Sequence, residues 1–203
     1  MMRKTRVLYD GELKYKNELK VRVNLGYLKI SPGTPHLLAT TEIANGYVNL
    51  ASTTDALQIN SDYCSVMITY PPDAGMDIEM ITGNISLNRM CPKTLRILLR
   101  TGNVKLDLEK LVAKKLAVEV SHGRVAGLLR YTTATASEIS IKVDIGMTDI
   151  ELSLPKRLGL KTTMMEEFVG IVNLPNNTEG HSDLNLNIHA KTGIVKIKRL
   201  SMD

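Results

Sequence analysis

Apolar and polar residues alternate through most of the chain, but the alternation changes phase at regular intervals and usually at a glycine. In TGNVKL (residues 101–106) the glycine is Gly102, and apolar residues follow two and four places later, at Val104 and Leu106. The same glycine-x-apolar-x-apolar phrase recurs from Gly26 (GYLKI), Gly46 (GYVNL), Gly83 (GNISL), Gly170 (GIVNL) and Gly193 (GIVKI). Weaker copies start at Gly123 (GRVAG), at Gly146 (GMTDI), and at residue 64 (CSVMI), where Cys64 holds the glycine place. The nine anchors are 18 to 24 residues apart.

The residues before each anchor repeat too. Seven places earlier stand Leu19, Ala39, Leu57, Met76, Leu95, Leu116, Ile139, Thr163 and Leu186. Five places earlier stand Val21, Thr41, Ile59, Ile78, Ile97, Val118, Ile141, Met165 and Ile188. Each column has one polar exception, Thr163 in the first and Thr41 in the second. Period-two alternation is the pattern of a strand with one buried face. A glycine at a phase slip marks a bulge or corner, where a backbone without a Cβ can turn sharply. Each unit therefore predicts two short strands bent at the glycine, with Gly26, Gly46, Gly83, Gly102, Gly123, Gly146, Gly170 and Gly193 as corners.

All seven prolines fall between the predicted strands, as they should, since proline cannot donate to a ladder. The helix-like piece DLEKLVAKKL (107–116) overlaps a connection and reads as extended, or at most one turn. Units of this length cannot bury an apolar face alone, but stacked they share one aliphatic core. The expectation is an all-β fold: a β-solenoid-like stack of about nine two-stranded rungs, with an antiparallel β-sandwich as the alternative. Residues 1–18 precede the first unit and are expected to form an N-terminal cap or a hairpin around Asp10-Gly11. Residues 19–203 form a single β-repeat domain.

The phrases at Thr82–Leu87, Thr101–Leu106 and Thr192–Ile197, repeated about every 20 residues, resemble the toast-rack, or adhesin-like, repeat domains. The resemblance spans roughly residues 37–200. It implies a solenoid-like all-β fold, carries over no catalytic residue, and points to proteins of bacterial and archaeal envelopes and stress responses. Two departures stand out: no membrane anchor or signal is evident, and Asn84, Asn103, Tyr27 and Tyr47 replace the aspartate common after the glycine.

Composition changes this picture little. With one Phe, seven Tyr and no Trp, the core must be aliphatic. No apolar run reaches the ~18 residues that would span a bilayer as a helix. The charged N-terminus lacks a signal peptide's apolar segment, so a cytoplasmic location is expected, with peripheral envelope association as the alternative. Cys64 and Cys91 read as free thiols.

Charge adds more. Of the net +5, residues 1–22 carry +4 and residues 191–203 carry +3, which leaves the body slightly acidic. Arg3, Lys4 and Arg6 at one end, and Lys196, Lys198 and Arg199 at the other, are candidate contacts to an acidic partner, a nucleic acid or a neighbouring subunit. As a structural device they would repel end-to-end growth.

Candidate chemistry is sparse. His36, His122, His181 and His189 fall in different repeat positions, so no metal site is expected. No phosphate loop, zinc or nucleophile motif is present, and no cofactor is expected. The outward column four places before each anchor holds Glu42, Glu79, Glu119 and Glu166, interleaved with other residues. Spacing out like charges on neighbouring strands has a structural reason, whereas catalysis would want the acids clustered. One place after the anchor, Tyr27 and Tyr47 on successive units predict a stacked pair, candidates for interaction with a sugar or base. Asn84 and Asn103 predict an amide ladder. The function expected is a non-enzymatic structural or interaction module, a rigid scaffold able to self-associate, with itself or another protein as partner. The alternatives are binding of nucleic acid or an anionic surface through the basic ends, and an enzyme acting on a polymer.

Overall fold

Alternating apolar residues make strands here, and the computed structural model contains no helix among the residues it describes, 5–111, 115–132, 137–165, 168–177 and 184–202. The strands are β1 (Arg6–Glu12), β2 (Glu18–Pro32), β3 (His36–Thr41), β4 (Tyr47–Ser52), β5 (Ala56–Asp62), β6 (Cys64–Tyr70), β7 (Gly75–Met90), β8 (Thr94–Leu111), β9 (Lys115–Tyr131), β10 (Ser137–Pro155), β11 (Leu160–Met165), β12 (Val169–Asn173) and β13 (Leu184–Met202). The segment 107–111 is extended, as the end of β8. Pro32 and Pro155 close strands, and the other five prolines lie outside them.

The long strands stack in parallel with their glycines in register: Gly26 pairs Gly83, then Gly102, Gly123, Gly146 and Gly193 follow on successive strands. Fully extended, the 16 residues of β7 would span about 53 Å. Only Cys91–Lys93 link β7 to β8, a reach of about 14 Å, so each rung must fold back on itself. Burial shows where it folds. In β7, Met76, Ile78 and Met80 are buried, Ile81 and Thr82 are exposed, and Ile85 and Leu87 are buried again. The two arms of a rung thus face each other across a shared aliphatic core. An antiparallel sandwich does not describe this parallel stack.

Spatial order departs from chain order at both ends. The path runs β1-β3-β6-β2-β7-β8-β9-β10-β13-β11, with β5 beside β2 and β4 beside β5, and with β12 on β13. Eight of the nine anchors join the parallel stack. Gly46 does not: it sits after the bends and turns of 42–45, and β3 and β4 on either side pair antiparallel with β6 and β5. The cause is Thr41. Its hydroxyl accepts the Ile43 amide (3.1 Å) and donates to the Tyr63 carbonyl (2.6 Å), which turns the chain where the other repeats continue inward. Of the two alternatives for residues 1–18, a cap or a hairpin, the described residues show no hairpin turn at Asp10-Gly11. Both residues lie within β1, opposite Leu38 and Leu37 of β3.

Register slips once more, at the far end. β11 pairs β13 through Thr162↔Leu186 and Met164↔Ile188, one residue off the motif count that put Thr163 and Met165 there. Buried Leu158 and Leu160 set the phase of this strand instead.

Among the described residues the hydroxyls of Ser61, Tyr131, Thr148 and Thr162 are buried without a hydrogen-bond partner, and Tyr131 is the largest of these side chains. Tyr131 is 2% exposed, and its phenol oxygen has no hydrogen-bond partner. Burial pushes the phenol pKa far above its ordinary 10.0. Tyr131→Phe removes an unsatisfied polar group without changing shape, so it is expected to stabilise the chain by about 1 kcal/mol or more. Above pH 10 ionisation favours the unfolded chain, so stability present below that value drains as pH rises. Urea melts at neutral pH and above pH 10 should show the variant more stable throughout, and less sensitive to alkali.

Candidate interaction surface

The outward columns of the two arms carry the polar chemistry. On the first arm, four places before the anchors, the spatial order is Asn60, Arg22, Glu79, Leu98, Glu119, Lys142 and His189. Reordering places Arg22 of β2 beside Glu79 of β7, and consecutive strands supply the other oppositely charged neighbours. Arg22 pairs Glu79 at 3.1 Å, Lys142 pairs Glu119 at 3.0 Å, and Arg96 bridges Asp77 at 2.9 Å and Glu79 at 3.2 Å. A groove of about 480 Å³ runs over this face, lined in part by Arg22, Glu79, Leu98, Arg100 and Glu119. Glu42 has left the column with its repeat, in the turn after β3, and Glu166 lies outside the described residues.

On the second arm, one place after the anchors, the order is Ser65, Tyr27, Asn84, Asn103 and Arg124. The stacked tyrosine pair is not there. Tyr27 lies between Ser65 and Asn84, while Tyr47 opens β4 opposite Asp62, because the Gly46 repeat has left the stack. The amide ladder is present: Asn103 Nδ2 donates to Asn84 Oδ1 at 2.8 Å. Arg124, beyond which the row continues as Met147, Ile194 and Ile171, reaches Asp149 at 2.8 Å.

Tyr63 is an aromatic that sequence reasoning missed. It precedes Cys64 at the one stacked corner without glycine and adopts a left-handed φ of 51°. A bulky residue there is strained, and the Thr41 hydroxyl bond to its carbonyl helps hold it. Tyr63, Tyr27, Leu25 and Ile43 line an open groove of about 500 Å³ at this end of the stack. The signal was available in the sequence as an aromatic directly before the anchor.

The basic ends do not merge into one surface. β1 and β13 stand eight strand steps apart, about 38 Å. Arg6 donates to the Ala44 and Gly46 carbonyls, and Arg199 to the Leu158 carbonyl, while Lys198 lies 4.0 Å from Glu151. Lys196 is in register with Asp149. Arg3 and Lys4 lie outside the described residues.

The remaining titratable groups are scattered. His36 Nε2 meets Asp10 at 3.1 Å, His122 flanks the Gly123 corner, His189 lies beside Lys142, and His181 is outside the described residues. Among the described residues no three metal-ligating side chains converge. Cys64 and Cys91 are free, and burial pushes both thiols up, opposite to the shift that activates a nucleophile. The hydrogen bond from Lys93 holds the Asp73 carboxyl below its usual range. No helix among the described residues is long and apolar enough to cross a membrane.

No family model matches the sequence, and no curated protein matches it significantly. Solved structures do match in fold. One is named "putative cell adhesion protein", from Clostridium sporogenes, with 15% identity, a TM-score of 0.54, and 97% of this chain and 99% of that one covered. Another is named "putative adhesin", from Bacteroides fragilis, with 14% identity, a TM-score of 0.51, and 98% of each chain covered. The all-β adhesin-like fold that the toast-rack resemblance implied is the fold of this chain.

Proposed function

We propose that this chain, built on the fold of proteins named as adhesins, is a non-enzymatic interaction module whose open end joins a second copy of itself. The observation that carries this is β12. Its Gly170 and Val172 hold rung positions, yet Val169, Ile171 and Val172 are 71%, 62% and 42% exposed. Elsewhere in the stack the place of Val172 is filled by Val66, Leu28, Ile85, Val104 and Val125, all buried by neighbours on both sides.

Among the described residues β12 pairs only β13, so one edge of it offers unpaired amides and carbonyls beside apolar side chains. Such an edge templates a further strand. The opposite end differs: β3 turns antiparallel onto β6, and β1 lies outside it. Two copies meeting through β12 about a twofold axis would continue the sheet and close the contact.

An interface of backbone pairs and apolar side chains should tolerate salt, unlike one held by the basic ends. Light scattering after size exclusion should give a dimer at both low and high salt, and Ile171→Lys should shift it to monomer. A wild-type monomer at all concentrations, or a dimer that Ile171→Lys leaves intact, would overturn the proposal.

A further inference from the structure

The row on the second arm combines three kinds of side chain that no fold requirement brings together. Tyr27, Asn84, Asn103 and Arg124 occupy the same outward place on four adjacent strands, spanning about 14 Å. Two residues further along the same face stand Lys29, Ser86, Lys105 and Ala126. Tyr27 is 37% exposed, and Asn84, Asn103 and Lys105 are exposed.

The internal bond of the amide pair fixes what the pair offers. Asn103 Nδ2 already donates to Asn84 Oδ1, so Asn84 keeps a free NH2 donor on the Tyr27 side and Asn103 keeps a carbonyl acceptor on the Arg124 side. The free donor and the free acceptor stand at opposite ends of the amide pair, about 7 Å apart, a separation that suits hydroxyls spread along a sugar chain, and the adjacent phenol ring gives one sugar ring an apolar face to lie on. Among the described residues neither Lys29 nor Lys105 has an ion-pair partner, so two ammonium groups flank the row with their charge uncompensated. They suit carboxylate or sulfate groups on the same ligand. Arg124 is committed to Asp149, and two free lysines are few for a nucleic-acid backbone, whose binding at physiological salt needs many phosphate contacts.

We infer that Tyr27, Asn84, Asn103, Lys29 and Lys105 form a binding site for an extended acidic glycan lying across the strands. The site stands apart from β12, so its test does not depend on self-association.

Calorimetric titration at physiological ionic strength would use hexagalacturonate and a heparin-derived hexasaccharide as probes. Maltohexaose serves as the neutral comparator and an oligothymidylate as the nucleic-acid comparator. At least one acidic probe should bind more tightly than either comparator. Tyr27→Ala and the Asn84→Ala/Asn103→Ala pair should each weaken binding about tenfold. Lys29→Ala/Lys105→Ala should abolish the preference for acidic over neutral sugar, and Tyr47→Ala, off the row, should change nothing. Thermal melts confirm that each variant is folded. Failure of both acidic probes to bind, binding indifferent to Tyr27→Ala, or tighter binding of the oligonucleotide would overturn the inference.

Discussion

Gly102→Val is expected to cost about 4 kcal/mol or more, which places it among the most damaging single substitutions a chain can carry. Gly102 has a φ of 137°, a backbone region that side chains rarely adopt. A Cβ built there overlaps the carbonyl oxygen of Gly83 on the next strand, with the Gly83 carbonyl carbon also within contact distance. These are backbone atoms locked in the ladder, so no rotamer change relieves the clash. Gly123 stands in the same relation to Gly102, so the strain would pass along the column. For a chain of this length the melting temperature should fall by about 8 to 16 °C. Gly11→Ala is the control. There the nearest atoms belong to the movable Tyr9 ring, at 3.2 Å, and the loss should be about 1 kcal/mol or less. A Gly102→Val variant with wild-type thermal stability would mean that the corners do not need glycine.

The second large effect separates two neighbouring residues. Ile97 is 0% exposed and in register with Ile78 and Val118, which are also buried, so Ile97→Ala opens a cavity deep in the stack. The expected cost is about 2–5 kcal/mol. Leu98 points outward between Glu79 and Glu119, and Leu98→Ala should cost about 1 kcal/mol or less. Denaturant melts of the two variants measure the contrast. Equal losses would show that the arm is not one-sided.

These effects were foreseeable because the architecture is written in a local pattern. Alternation fixes which side of a strand faces inward, and the glycine fixes the corner, so the core columns from Leu19 to Ile197 could be assigned without coordinates. Pairing order is another matter, because it depends on which edges meet. The anchor phrases at Gly26 and Gly46 look alike, yet only the first stacks. The difference lay in two residues that broke their columns. Thr41 marks the repeat that turns away, and Thr163 marks the strand whose register slips to Thr162. The misplaced pair Tyr27 and Tyr47 followed from assuming that successive repeats are neighbours. Asn84 and Asn103 lie on strands where that assumption holds, and their ladder is present. Tyr63 escaped because its strained conformation replaces a glycine that the pattern had already excused at Cys64.

The out-of-order strands bear on how the chain assembles as it is made. A stack whose rungs followed the chain could grow one rung at a time from either end. Here β3 pairs with β6, so that edge must wait for the next 20 or so residues to be synthesised, whereas β4 closes at once on β5 as a hairpin. At the other end β11 and β12 pair only β13 among the described residues. Strand β10 therefore keeps a bare edge until the last strand of the chain arrives and inserts between it and segments made earlier. Both ends of the stack are tied off by late arrivals, and a ribosome-bound chain lacking residues 184–202 would hold its middle rungs while β11 and β12 remain unplaced.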